Sequence, residues 1–394
     1  MDITAFIYIF VIILVSTKVL GELSQKYHQP PVFGELIAGI LIGPSVLGLI
    51  PDPDIFYHNH VFYLLAQIGL LLLLFETGLE SSLKDLLQVG KKSFMVGLGG
   101  VVLPFAFISG FSLLTGGLSM EKILIASAFT ATSIGITCKL LSELNVLDKK
   151  EAKIVLGAAI IDDILALSIL GIISALATTG QDLNVLLTAK TILVSIGFLV
   201  LAISFGEVFV KRLLKILVKM RIRGSLTTGA IFFALLLSLV ALKLGSSIVL
   251  GAFAAGILLA ETHQKETIEN VLKPLVDIFT PIFFVSVGIF VNIKVFNIFD
   301  PANHYSLMWI AVLFVIATST KFLAGFMIPK EDGLNRKIIG ISMVPRGEVC
   351  LIFASVGKIS GILSDEMYTV IVATVMLSTI VVPPLMKSLV FKAD

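Results

Sequence analysis

The chain has 394 residues, 57% hydrophobic and 14% charged, with a mean hydropathy of +1.04. A soluble globular protein carries about 25% charged residues, so the composition excludes one and describes a polytopic membrane protein with no separate soluble domain. The net charge of +2 excludes little, because where charge falls matters more here than its sum.

In chain order, hydropathy predicts thirteen spans, at roughly 3–21, 31–50, 61–79, 91–115, 120–142, 151–177, 186–209, 224–243, 247–261, 274–292, 307–328, 335–358 and 366–388. The ninth is short, and the fifth and twelfth carry polar residues at their centres. The amino terminus lacks the basic start and small-residue cleavage site of a signal peptide, so Ile3 to Gly21 reads as a retained span. Cys138 and Cys350 fall in or beside apolar segments and read as buried thiols.

Lysine and arginine set the orientation. Odd-numbered connections hold Lys26, then Lys84, Lys91 and Lys92, then Lys149, Lys150 and Lys153. Later ones hold the run Lys211, Arg212, Lys215, Lys219, Arg221 and Arg223, then Lys265, Lys273, Lys330, Arg336 and Lys337. Even connections hold Lys122, Lys190, Lys243, Lys294 and Lys358. The bias is about fourfold, which makes the odd side cytoplasmic, the N-terminus outside and the C-terminus inside.

A weak internal repeat runs through the chain. The second span reads Gly34-x-x-x-Ala38-Gly39-Ile40-Leu41, and the ninth reads Gly251-x-x-x-Ala255-Gly256-Ile257-Leu258. The following spans agree loosely, Phe75-Glu76-Thr77-Gly78-Leu79 against Val285-Ser286-Val287-Gly288-Ile289. An offset of seven spans is odd, so the copies face opposite ways, the inverted-repeat arrangement of many secondary transporters. Span five then pairs with span twelve. The first contains Phe129-Thr130-Ala131-Thr132-Ser133-Ile134-Gly135-Ile136-Thr137, rich in hydroxyls beside a glycine. The second contains Val344-Pro345-Arg346-Gly347-Glu348-Val349, whose proline removes a helix hydrogen bond and whose glycine loosens the turn. Both read as discontinuous helices whose freed backbone groups can line an ion site.

A rise of about 1.5 Å per residue places Asp162 and Asp163 about 17 Å into span six, near the midplane of a core about 30 Å thick. Arg346 and Glu348 lie about as deep in span twelve, Thr132 and Ser133 in span five, and Lys321 near the middle of span eleven. Lys18, Glu35, Glu76, Glu207 and Asp277 lie close enough to span ends to snorkel. The midplane therefore holds three acids, Asp162, Asp163 and Glu348, against two bases, Lys321 and Arg346. If each base pairs with an acid, one acid is left, and only a proton or a cation neutralises it. A carboxylate that holds one or the other, never both, is the minimum machinery for cation/proton exchange. Adjacent helix positions point about 100° apart, so one of Asp162 and Asp163 meets a base while the other faces a cavity. Hard carboxylate, hydroxyl and carbonyl oxygens suit an alkali cation. The five histidines, His28, His58, His60, His263 and His304, fall in connections and form no transition-metal site. No phosphate-cradling glycine loop is present, so an ion gradient rather than ATP supplies the energy. The reading is of a transporter, not an enzyme, with no cofactor beyond the ions carried and nothing pointing to nucleic acid.

These motifs resemble the monovalent cation:proton antiporter-2 family, which includes Nap-type sodium/proton antiporters and Kef-type potassium efflux systems. The carriers are Gly34-Glu35-Leu36-Ile37-Ala38-Gly39-Ile40-Leu41-Ile42-Gly43-Pro44, Phe75-Glu76-Thr77-Gly78-Leu79-Glu80, Asp162-Asp163, Pro281-Ile282-Phe283-Phe284-Val285-Ser286-Val287-Gly288 and Pro345-Arg346-Gly347-Glu348-Val349. The resemblance implies an all-α fold of thirteen transmembrane helices in two inverted repeats with crossed discontinuous helices, a homodimer in the cytoplasmic (inner) membrane. It implies a dimerisation part (1–79 and 224–292), a moving core (91–177 and 307–388) and a linker helix (186–209). It also implies that Asp163 binds the cation, sodium, or the proton, and that Asp162 pairs with Lys321; with the hydroxyls of the broken span, the candidate cation- and proton-binding set is Asp163, Asp162, Thr132 and Ser133. Arg346 and Glu348 are left as structural midplane residues. Kef-type members usually carry Gln-Asp and a nucleotide-binding extension. This chain has Asp-Asp and stops at Asp394, which favours ungated Na⁺/H⁺ exchange over K⁺/H⁺ exchange, with a cation channel on the same scaffold as a third reading.

Charge arithmetic points to electrogenic exchange. When sodium displaces the proton of Asp163 and draws Asp162 away from Lys321, the freed lysine sits unpaired in a dry site. A second proton then leaves from Lys321, giving two protons against one cation. Arg346 is the alternative partner of Asp162, and arginine does not deprotonate.

Overall fold

A computed structural model of the chain describes residues 2–27, 29–57, 60–80, 90–133, 136–137, 141, 149–179, 185–220, 222, 224–244, 248–330 and 334–390. No strand occurs among the described residues. The helices are α1 (Ile3–Lys26), α2 (Pro31–Ile42), α3 (Val61–Glu80), α4 (Lys91–Leu114), α5 (Met120–Ala128), α6 (Lys150–Thr179) and α7 (Val185–Lys219). They continue with α8 (Ser225–Lys243), α9 (Ile248–Ala260), α10 (Lys265–Ile289), α11 (His304–Ala324), α12 (Arg336–Ser342), α13 (Glu348–Ile359) and α14 (Asp365–Val390).

Local chemistry sets the ends. Asp2 Oδ1 accepts from Ala5 N at 2.7 Å and caps α1. Pro31 opens α2, where its missing N–H is no loss. Asn335 caps α12 by accepting from Lys337 N and Ile338 N. Gly361 closes α13 at φ 71°, a left-handed conformation that favours glycine.

Seven helices are long and apolar enough to cross a membrane among the described residues: α1, α3, α4, α6, α8, α10 and α11. Helices α2 and α9 are apolar but only 12 and 13 residues long. Along α1, Ile7, Val11, Val15 and Val19 recur every four residues and are all more than half exposed, a stripe suited to lipid or to another apolar surface. Three boundaries depart from expectation. Helix α2 stops at Ile42 and not near 50, and α10 begins at Lys265 and not near 274, so Lys265 and Lys273 lie in helix. Helix α7 does not stop near 209 but runs on to Lys219, so Lys211, Arg212, Lys215 and Lys219 ride on its last turns instead of in a loop. Apolar Val210, Leu214 and Leu217 between them are buried and keep the helical period going. Arg221, Arg223, Lys84, His28, His58 and Cys138 lie outside the described residues, whereas Cys350 is a buried thiol as expected. His304 opens α11 and does not lie in a connection.

Contacts group the chain into two units. One comprises Met1–Pro53, Gln88–Ala166 and Val287–Asp394, the other Asp54–Leu87 and Leu167–Ser286. In the first, α1 packs on α2, α4 on α5 and α11, and α14 on α11, α12 and α13. In the second, α9 is central and touches α3, α7 and α8, around a core that includes Phe75, Phe233, Leu258 and Leu272.

The sequence repeat has a packing counterpart. A methyl group built on Gly34 would fall 2.1 Å from Leu20 O, and one on Gly251 would fall 2.5 Å from Leu237 O. On Gly288 it would lie 2.2 Å from Leu36 O and 3.0 Å from Gly39 Cα. On Gly78 it would lie 2.3 Å from Phe253 O and 3.0 Å from Gly256 Cα. Leu36 and Gly39 stand to the first copy as Phe253 and Gly256 stand to the second. Small residues thus let backbones touch, the usual basis of helix association where no hydrophobic effect operates between helices.

The two weak spans are interrupted. Helix α5 ends at Ala128, and Ala131–Ser133 run on without helix. The chain also leaves helix between Ser342 and Glu348, at Met343–Gly347, where Pro345 has no N–H to give. The breaks meet: Ser133 N donates to Pro345 O at 2.9 Å, and Thr137 Oγ1 donates to Ser342 O at 2.9 Å. Gly347 makes room for this, since a methyl group on it would lie 2.6 Å from Ser133 Oγ.

Candidate functional site

Asp162 and Asp163 sit on α6 and are both wholly buried, as is Lys321 on α11. Lys321 Nζ is ion-paired with Asp162 Oδ2. The same ammonium donates to Thr132 Oγ1 at 2.8 Å. That hydroxyl lies 2.6 Å from Asp162 Oδ2 and 3.1 Å from Met343 O, and its single proton goes to one of them at a time. Thr132, from the first helix break, therefore links the ion pair to the second break. Helix α4 approaches the pair so closely that a methyl group on Gly100 would lie 3.0 Å from both Asp162 Oδ1 and Lys321 Nζ.

Asp163 is different. Its Oδ1 is buried with no hydrogen-bond partner, and Asp162 Oδ1 shares that condition. An ionised carboxylate buried with an oxygen unsatisfied costs several kcal/mol, roughly, relative to water. A proton or a bound cation relieves that cost, and either one occupies the same oxygen.

Among the described residues, Arg346 pairs with backbone, not with a carboxylate. Its Nη1 donates to Ala131 O at 2.6 Å and its Nη2 to Ala317 O at 3.1 Å. Its Cζ lies 5.9 Å from the centroid of the Phe129 ring. A guanidinium suits this role because its fork can serve two carbonyls at once. Lys321, not Arg346, is the hydrogen-bonding partner of Asp162 in this structure. Glu348 begins α13 and accepts from Ser133 Oγ at 3.1 Å. The neighbouring hydroxyls of Thr132 and Ser133 thus serve different acids.

The span-end charges behave variously: Lys18 and Asp277 are exposed, Glu35 and Glu76 half-buried. The side chain of Glu207 is outside the described residues. Sequence reasoning missed Gly100 and the carbonyls of Ala131, Ala317 and Met343. The run Gly97-x-Gly99-Gly100 inside an apolar span was the available signal for the first. No group of three or more His, Cys, Asp and Glu side chains able to hold a metal ion occurs among the described residues.

Against known proteins, the chain matches the family described as sodium/hydrogen exchanger, transmembrane, over residues 9–392. It is 35% identical to the high-affinity Na(+)/H(+) antiporter NhaS3 of Synechocystis sp., covering 96% of this chain and 88% of that protein. It is 34% identical to the Na(+)/H(+)-K(+) antiporter GerN of Bacillus cereus, covering 97% of this chain and 95% of that one. Its fold matches the solved structure of the sodium proton antiporter MjNhaP1 from Methanocaldococcus jannaschii with a TM-score of 0.76 at 18% identity, over 100% of this chain and 99% of the other.

Proposed function

Because the chain belongs to the sodium/hydrogen exchanger family, we propose that it is a secondary antiporter that exchanges Na⁺ for H⁺ by alternating access. It is a multi-pass membrane transporter, and the ions are its substrates. The observation that carries this reading is Asp163, wholly buried with Oδ1 unpaired and next to an acid already committed to Lys321. Asp163 alternates between proton and sodium. Asp162 and Thr132 hold Lys321 beside it, and Ser133 belongs to the same polar centre.

The finer assignments are part of the same proposal. Lys321 gives up the second proton when sodium loosens its pair, which makes exchange electrogenic. The protein is a homodimer in the cytoplasmic membrane, with its N-terminus outside and C-terminus inside, as the lysine and arginine bias supports. Residues 1–79 and 224–292 form the dimerisation part, 91–177 and 307–388 the transport core, and 186–209 the link. Potassium as an alternative cargo is favoured by one observation, the name of the relative GerN, which includes K⁺.

The test is purified protein in sealed vesicles, with internal pH followed as Na⁺, Li⁺ or K⁺ is added outside. The reading expects pH to move with Na⁺. Equal, proton-independent leakage of all three cations would point to a channel instead.

A further inference from the structure

The midplane acids differ in access. Asp162 and Asp163 are wholly buried, whereas Glu348 is only half-buried and lines a cavity of about 270 Å³. The wall of that cavity is otherwise mostly apolar, with Pro31, Phe33, Leu36, Leu351 and Val375 among its residues. Its polar side chains are Ser133, Arg346, Glu348 and Thr379. Arg346 is turned to two backbone carbonyls and Thr379 Oγ1 lies 3.1 Å from Arg346 O, so Glu348 and Ser133, hydrogen-bonded at 3.1 Å, are the oxygen ligands this cavity offers to an ion.

Two further observations tie this pair to transport. Ser133 adjoins Thr132, which contacts the buried ion pair. The cavity also touches Pro30 and Pro31, the turn between α1 and α2. In the proposed orientation that turn is cytoplasmic.

We infer that Glu348 and Ser133 form a cytoplasmic entry site for the alkali cation, where it pauses before reaching Asp163. The inference rests on the exchange reading above and adds a site to it. An apolar vestibule offers a dehydrating cation nothing, so a carboxylate and a hydroxyl in its wall supply the first hard oxygens. When a cation arrives, Ser133 Oγ turns its lone pair to the ion and its proton away from Glu348.

A purely structural role has its own logic. An acid in the first turn of α13 favours the helix dipole, and its hydrogen bond to Ser133 pins the two breaks together. That role predicts a lower melting temperature on substitution, with no preference for one membrane face. The entry-site role predicts sidedness.

The experiment measures Na⁺ dependence from each face, with purified protein reconstituted in vesicles of defined orientation. Glu348→Gln keeps the size and a hydrogen-bond acceptor for Ser133 but removes the charge. Its KM for Na⁺ presented at the cytoplasmic face is expected to rise at least about tenfold, with the external KM changed by less than about threefold. Glu348→Asp, which keeps the charge, is expected to recover most of that loss. An unchanged cytoplasmic KM in Glu348→Gln, or an equal rise on both faces, overturns the entry site. If Glu348→Gln does not fold, Ser133→Ala carries the same test, and an unchanged cytoplasmic KM again overturns it. Wild-type vesicles serve as the separate check: if they show no Na⁺-driven proton movement, the exchange reading itself falls. If they exchange normally and only the sidedness is missing, the entry site alone is wrong.

Discussion

Lys321 and Asp162 form an ion pair with no exposure on either side chain. Taking both charges out of water costs several kcal/mol per ion, roughly, and their attraction in a dry site offsets this only while the pair stays intact. The pair is therefore a poor stabiliser and a good switch. Lys321→Gln leaves Asp162 without its counter-charge, so melting temperature in detergent should fall, in line with a loss of about 3–5 kcal/mol for a broken buried pair. Any exchange that survives should lose its voltage dependence. A variant that transports with unchanged voltage dependence would make Lys321 structural and remove the second proton from the cycle.

Competition for Asp163 gives a pH rule. If one carboxylate holds either a proton or sodium, protons raise the apparent KM for Na⁺. Where both groups start protonated, each unit of lower pH should raise it by about tenfold per displaced proton, so about a hundredfold for release from both Asp163 and Lys321 and about tenfold for Asp163 alone. Initial rates across a pH series at fixed voltage measure this. A KM flat with pH would mean that the two ions do not share a site.

Packing at the glycine contacts is a stability prediction. Gly34→Ala and Gly251→Ala put a methyl group 2.1 Å from Leu20 O and 2.5 Å from Leu237 O. Backbone cannot swing aside as a side chain can, so each should destabilise by about 1–3 kcal/mol. Gly110, which has nothing within 4 Å of the same added methyl, is the control. Melting temperatures of the three variants decide it, and a Gly34→Ala protein as stable as Gly110→Ala would contradict the contact.

Arg346 should tolerate lysine badly. Lysine cannot reproduce a fork to Ala131 O and Ala317 O, which leaves a buried carbonyl short of a donor. Arg346→Lys is expected to lose about 1–3 kcal/mol of stability, read by thermal melting. No loss would show that the carbonyls find other donors.

Much of this was legible in the sequence because membranes make charge conspicuous. Asp162, Asp163 and Lys321 stand out in apolar runs, and Pro345 and Gly347 announce a helix that cannot continue. The repeat was legible from Gly34 and Gly251 because only small residues allow the backbone contact they make. Partner choice was not legible from depth and spacing, and only the family resemblance pointed to Lys321. Nothing in the order of residues tells Lys321 from Arg346 as the mate of Asp162, since both lie at similar depth and only the fold brings one within reach. Nor does it say that adjacent Thr132 and Ser133 serve different acids, because Ala131–Ser133 lie outside any helix and helical spacing no longer predicts their directions. The end of α7 was misplaced for another reason: a dense run of lysines reads as a loop, while buried Val210, Leu214 and Leu217 carry the helix on.

The central claim is that Asp163 is the carboxylate that sodium and the proton share. Asp163→Asn preserves size and can fold, but asparagine cannot bind a proton and a cation in turn. Purified Asp163→Asn protein in proteoliposomes, given an inward Na⁺ gradient with internal pH recorded, should move no protons, while wild-type protein under the same gradient does. Proton movement by the variant at the wild-type rate would contradict the account.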